Sequence, residues 1–150
     1  MDMAKKLTLD DFRIKAAQRF QGRKTSVEIE TEMGLITFNR PTENTLLTYI
    51  NRSANAVVSE SVKVAEGEEP KSKVISQDLV EIFEASKVLV FATCPFLKDV
   101  ELQASVEAID PIDVVSAVFG INKTMEIAGE IGSAFTDSET MAKVEEEIKN

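Results

Sequence analysis

Residues 79–120 read LVEIFEASKVLVFATCPFLKDVELQASVEAIDPIDVVSAVFG, and this stretch decides the fold. Its first part repeats apolar residues such as Ile82 and Phe83 at helical spacing, which predicts an amphipathic helix that begins near residue 78. Over residues 88–92 the polar face disappears, which is typical of the central helix of a core. The β-branched residues there also allow a buried strand. Pro95 prevents a helix from continuing normally.

Two further helix starts follow in the same stretch. Residues 99–106 predict a short helix with three inward apolar side chains, namely Val100, Leu102 and Val106. Asp110 then fits an N-cap, and Pro111 fits the first helical position, where its missing N–H costs nothing. Asp113 falls in the first turn, where the helix dipole favours negative charge. The helix that follows should be interrupted at Gly120 and should then resume.

The N-terminal third predicts a helix, a hairpin and a second helix. Thr8 is a suitable N-cap for a helix over 9–21, whose apolar stripe consists of Leu9, Phe12, Ala16 and Phe20. Residues 26–31 alternate apolar and acidic side chains, and Gly34 can supply the positive φ of a tight turn. These features predict a β-hairpin over 26–39. Pro41 ends the second strand, and a helix should begin directly after it.

Two segments carry few apolar residues. Residues 60–73 are rich in Glu and Lys and predict a mobile loop. Residues 137–150 predict a helical tail with a thin apolar stripe, Met141, Val144 and Ile148, which either frays or awaits a partner. The predicted fold class is therefore α+β and predominantly α-helical, with one small β-hairpin near the N-terminus. Residues 1–136 form a single domain, and the C-terminal tail follows it.

Charge and composition narrow the range of possible functions. The net charge is -9, but residues 1–24 carry +4 and residues 25–150 carry -13. The negative charge of residues 25–150, the acidic body, argues against nucleic-acid binding. Residues 1–24, the basic start, form either a solvated end or a contact to an acidic partner. The chain has a single cysteine, no recognisable signal peptide and no apolar run that could span a bilayer. We therefore expect a cytoplasmic protein that does not bind membranes.

No pattern in the sequence indicates catalytic chemistry. Histidine, the commonest general base and transition-metal ligand, is absent. Asp110 and Asp113 are explained by helix capping without a cation. Cys94 has no cysteine or histidine partner and is expected to be buried. The GINKT sequence at 120–124 lacks the second glycine of a phosphate-binding loop. We expect no enzymatic activity, no cofactor and no metal.

Two patterns carry a family resemblance, CPFLKDVEL at 94–102 and DPIDVV at 110–115 with VFG at 118–120. Together with the LTLDDF opening at 7–12, the basic GRK at 22–24 and RPT at 40–42, they resemble the XkdN-like tail-assembly chaperones of phages, over roughly residues 7–132. The resemblance implies a cytoplasmic protein, absent from the mature virion, that binds and solubilises the tape-measure protein during tail assembly. It also implies the tail-tube protein as a further partner.

The contact surfaces predicted for such a partner are the apolar stripes near the two ends of the chain, Leu9, Phe12, Phe20, Met141, Val144 and Ile148. A homo-oligomer is a further expectation. The alternative from a different class is a small structural or regulatory module of phage or host that self-associates through the hairpin. A third interpretation is a nucleic-acid binder that uses the N-terminal basic patch.

Overall fold

The computed structural model of the protein describes residues 5–62, 67 and 71–136, and for 59–62 and 71–75 it describes the backbone alone. Nine helices and strands follow one another in these ranges: α1 (Leu9–Gln21), β1 (Ser26–Thr31), β2 (Gly34–Asn39), α2 (Glu43–Asn55), β3 (Val57–Val62), β4 (Lys71–Gln77), α3 (Leu79–Thr93), α4 (Val100–Ser105) and α5 (Val114–Phe135). Single 3₁₀ turns precede α4 and α5, at Pro95–Lys98 and Pro111–Asp113. The fold is mostly helical with two antiparallel hairpins, which confirms the predicted α+β class.

Four of the helices begin at a short polar side chain that accepts the backbone N–H three residues later. The accepting oxygens lie 2.9–3.2 Å from the nitrogen, and the residues are Thr8, Thr42, Asp78 and Asp99. Such caps satisfy one of the orphan donors of a helix N-terminus. They fix the starts of α1, α2, α3 and α4 at the positions that the sequence predicts to within two residues.

The core lies where α3 packs between α2 and α5, with the inner face of the β1–β2 hairpin against it. Residues 88–92 are helical, which decides the open choice between helix and strand. Buried hydroxyls in α3 and α5 donate to the carbonyl four residues earlier, and these are Ser86, Thr93 and Thr124. The polar atoms of these three residues therefore have partners inside the core.

Two glycines shape α5. Gly120 interrupts the helix with a φ of 79°, as the sequence predicts, and the Thr124 hydroxyl donates to its carbonyl at 2.6 Å. Gly132 lies against Tyr49 of α2, so that a Cβ at this position would be 3.3 Å from the Cε1 atom of the tyrosine ring. This glycine lets α2 and α5 approach closely.

A second hairpin, β3–β4, was not predicted. Strand β3 follows α2 almost directly, and β4 leads into α3, with a register shift between Val58 and Ser59. Residues 60–62 and 71–73, which the sequence analysis assigned to a mobile loop, lie in these strands, so that part of the prediction was wrong. The only strand signal in KSKVISQ at 71–77 is the β-branched pair Val74 and Ile75, because the apolar residues there are adjacent and do not alternate with polar ones.

Candidate partner-binding surfaces

Helix α1 carries an apolar stripe that nothing in the described structure covers. Every residue of the helix is exposed, and its large apolar side chains retain more than half of their accessible surface: Leu9 at 64%, Phe12 at 56% and Phe20 at 62%. Helical spacing places these three side chains and Ala16 along one side of the helix. The structure thus brings together the N-terminal half of the predicted contact residues.

Basic side chains border this stripe. At 3.6 residues per turn, Arg13 lies along one edge of it, and Lys15 and Arg19 lie along the other. Arg23, just beyond the helix, stacks over the Phe20 ring with 4.3 Å from its guanidinium carbon to the ring centroid. Asp10 in the first turn forms an exposed ion pair with Arg13, with 3.5 Å between Nη1 and Oδ1, and the adjacent Asp11 points away from the centre of the stripe. The surface that α1 offers is therefore apolar in the middle and positively charged at its edges.

The second predicted contact surface belongs to the C-terminal tail. Met141, Val144 and Ile148 lie outside the residues that the structure describes, as does the whole tail from residue 137. Helix α5 ends at Phe135, whose ring faces the Arg40 guanidinium with 5.6 Å to the centroid. The predicted helical tail therefore stays a prediction.

The outer face of the β1–β2 hairpin carries acidic side chains together with an exposed apolar one. Pairing of Glu28 with Thr37 and of Glu30 with Leu35 places these four side chains on the face opposite the core. Leu35 is 66% exposed, and Met33 in the turn is 64% exposed. The sequence analysis named the hairpin as a possible element of self-association but did not identify this face of it. The alternation of Glu with inward apolar residues over 26–31 was the available signal.

A third exposed apolar patch surrounds the Pro95–Lys98 turn and α4. Phe96 and Val100 are 68% and 76% exposed, beside an open cleft of about 500 Å³ that is lined in part by Asp99 and Leu102. The expectation that Val100 points inward was therefore wrong, whereas Leu102 and Val106 are half-buried. Helix α4 is only six residues long, so helical period alone could not decide which of its apolar residues faces the core.

An open cleft of about 830 Å³ lies between the end of α2, the β3–β4 hairpin and the start of α3. Arg52 and Glu81 form a hydrogen-bonded ion pair across it, with 2.6 Å between Nε and Oε1. This hydrogen bond lowers the pKa of the Glu81 carboxyl and raises that of the Arg52 guanidinium. The pair links α2 to α3. This link between two helices is a structural role, and it accounts for the ion pair without a catalytic function.

Cys94 and Tyr49 are titratable groups that lie in or against the core. Burial raises the pKa of the Cys94 thiol and of the Tyr49 hydroxyl, which favours the protonated form of both groups near neutral pH. Asp113 accepts the Asp110 N–H at 3.3 Å, in keeping with its capping role. Within residues 5–62, 67 and 71–136, no three metal-ligating side chains come together. In those same ranges no helix has the length and apolar character needed to cross a bilayer.

No protein-family model, curated protein or solved structure matches the chain. Its function is therefore inferred from the surfaces described above and from the sequence patterns at 94–102 and 110–120.

Proposed function

We propose that the protein is a tail-assembly chaperone of a phage or prophage, which binds helical segments of the tape-measure protein and keeps them soluble in the host cytoplasm. The proposal combines the resemblance carried by residues 94–102 and 110–120 with one structural observation. That observation is the uncovered apolar stripe of α1, formed by Leu9, Phe12 and Phe20.

An exposed stripe of this kind suits a helical cargo. In water, a 13-residue helix with no tertiary contacts is marginally stable by itself, so α1 gains stability when a partner covers its apolar side. Amphipathic helices recognise one another through anchors spaced three or four residues apart, and Leu9, Phe12, Ala16 and Phe20 have that spacing. The acidic body, at -13 over residues 25–150, favours solubility of a complex with many copies through mutual repulsion.

Co-expression with a tape-measure fragment tests this function. We expect a fragment from the genome that encodes this chain to be insoluble alone and soluble with the chaperone, in a complex with several chaperone copies. Phe12→Asp should reduce the soluble amount, because a carboxylate in the middle of the stripe must be desolvated when the cargo covers it. Met141→Asp with Val144→Asp tests the tail stripe in the same assay.

Ile14→Asp is the matched control. Ile14 lies on the same helix and is 58% exposed, close to the 56% of Phe12, but it faces away from the stripe. The change in side-chain size and charge is similar at both positions, so a general loss of solubility would affect both variants equally. A fragment that stays insoluble beside well-folded wild-type protein would contradict the proposed function. Equal effects of Phe12→Asp and Ile14→Asp would show that the α1 stripe is not the cargo surface.

A further inference from the structure

We propose that α1 of one copy docks on the outer face of the β1–β2 hairpin of a second copy, so that two chains form a closed pair. This inference does not rest on the proposed function. The two surfaces are the α1 stripe with its basic edges and the acidic outer face of the hairpin, centred on Glu28 and Glu30.

The hairpin has an inner and an outer face with opposite character. Ile29 and Phe38 point into the core and are 4% and 0% exposed. Glu28 and Glu30 alternate with them and point outward, and Glu32 is exposed in the turn that follows. Among the side chains that the structure describes, no basic group lies within salt-bridge distance of these three glutamates. Three carboxylates without an ion-pair partner among the described side chains thus lie on or next to the face that carries the exposed Leu35.

The α1 surface has the complementary composition. Its apolar stripe can cover Leu35 and Met33, which are 66% and 64% exposed. Arg19 at one edge can reach the glutamates, and Arg13 at the other edge can exchange its exposed partner Asp10 for one of them. The lengths also agree. A helix of 13 residues extends for about 20 Å, and a strand of six residues covers nearly the same distance. An acidic, partly apolar face two strands wide therefore fits a basic helix of this length.

A second copy is the occupant that the chain itself provides. In the structure α1 leaves its own hairpin uncovered, since every residue from 9 to 21 is exposed. Each chain carries one α1 stripe with basic edges and one acidic hairpin face. A two-fold pair therefore covers both surfaces of both chains and leaves no free surface to which a third chain could add. One helix on one hairpin is a small contact, and reciprocal docking doubles the area, which brings it closer to that of specific interfaces. A cargo helix and a second copy would compete for the same stripe.

The mass of the full-length chain in solution, measured over a range of micromolar concentrations, tests the pair. We expect a dimer that weakens at least ten-fold as the salt concentration rises, because charged edges contribute to the contact. Glu28→Lys with Glu30→Lys should give a monomer, and so should Arg13→Glu with Arg19→Glu. Glu107→Lys with Glu130→Lys, at exposed glutamates on the helical side of the molecule, changes the net charge as much as the hairpin variant does and should leave the dimer intact.

Mixing the two monomeric variants provides the decisive step. In a mixed pair the reversed helix meets the reversed hairpin and the native helix meets the native hairpin, so dimers should return to wild-type strength. Thermal melts check that each variant folds. If the lysine variant unfolds, Glu28→Gln with Glu30→Gln, which should weaken the dimer, tests the hairpin face without the mixing step. A wild-type chain that stays monomeric overturns the proposal. A dimer that survives both reversals, or variants that do not associate when mixed, also overturn it.

The hairpin variants separate this proposal from the chaperone function. Glu28→Lys with Glu30→Lys leaves the α1 stripe unchanged, so these changes should abolish the dimer without reducing solubilisation of a tape-measure fragment. Loss of the dimer with solubilisation retained supports both proposals. A charge-dependent dimer without any solubilisation supports the pair and contradicts the chaperone function.

Discussion

At the scale of single residues, glycine serves different purposes along α5. Gly120 adopts a φ of 79°, a conformation that side chains with a Cβ rarely adopt, and it marks the interruption of the helix. Gly129 lies on the exposed side of α5, in the segment that follows the interruption, and a Cβ at this position would meet no atom within 4 Å. The same substitution should therefore have opposite effects at the two positions.

We expect Gly120→Ala to lower the free energy of unfolding by about 1–2 kcal/mol, because alanine in a left-handed conformation brings its Cβ close to the carbonyl oxygen. Gly129→Ala should raise it by about 0.5–1 kcal/mol, because alanine loses less backbone entropy in a helix. Chemical denaturation of the two variants measures both values. An increase in stability for Gly120→Ala would show that α5 can straighten at this point.

At the scale of elements, the ion pair between Arg52 and Glu81 joins α2 to α3. Since the arginine lowers the pKa of the Glu81 carboxyl below the unfolded value of 4.5, the folded state binds its proton less readily. The pair therefore stabilises the fold above that unfolded value, and its contribution disappears as the pH falls through the folded pKa. Both side chains are about one-third exposed, so the contribution is modest.

The pH dependence of a variant tests this link. Glu81→Gln should melt at a lower temperature than the wild type at neutral pH, and the difference should shrink once the wild-type carboxyl is protonated in acid. Glu130→Gln is the control, because Glu130 is exposed and forms no ion pair with the described side chains. A difference that stays constant from neutral to acidic pH would show that the glutamine loses packing rather than charge.

Helix α1 as an element contributes no buried residue to the domain. In the monomeric variant Glu28→Lys with Glu30→Lys, where no dimer contributes to stability, removal of residues 1–22 should therefore lower the melting temperature by less than about 3 °C, equivalent to roughly 1 kcal/mol or less for a chain of this size. Leu89→Ala, at a fully buried position of α3, is the comparison and should cost about 2–5 kcal/mol. A truncated chain that unfolds as readily as the Leu89 variant would place the α1 stripe inside the domain's own core.

At the scale of the whole molecule, the charge distribution separates a basic start from an acidic body. We expect no submicromolar binding of DNA or RNA at roughly 150 mM salt, because the -13 of residues 25–150 repels the phosphate backbone. A peptide of residues 1–24, which lacks that body, should bind more tightly than the full chain in a fluorescence titration. Tight binding by the full chain that weakens steeply with salt would favour the nucleic-acid interpretation instead.

The sequence by itself determined the local features. Caps such as Thr8 and Asp99 fixed helix starts, and Gly34 together with alternation fixed the first hairpin, because each depends on neighbours only a few residues away. Helical period likewise identified the stripe of Leu9, Phe12 and Phe20 as a possible contact surface. Each of these signals depends on residues that are close together in the sequence, so one amino-acid sequence is enough to identify it.

Only the tertiary structure decided which apolar surfaces are covered. Pairing of β3 with β4, the exposure of Val100 and the uncovered state of α1 all depend on contacts between residues distant in sequence. An apolar stripe has the same spacing in the sequence whether it packs on the core or on a partner. Helical periodicity shows which side of the helix is apolar, but it does not show which element covers that side. Helix α1 contributes no residue to the core that α2, α3, α5 and the first hairpin form, and this exposure, which depends on the packing of those other elements, is what no pattern within residues 9–21 contains.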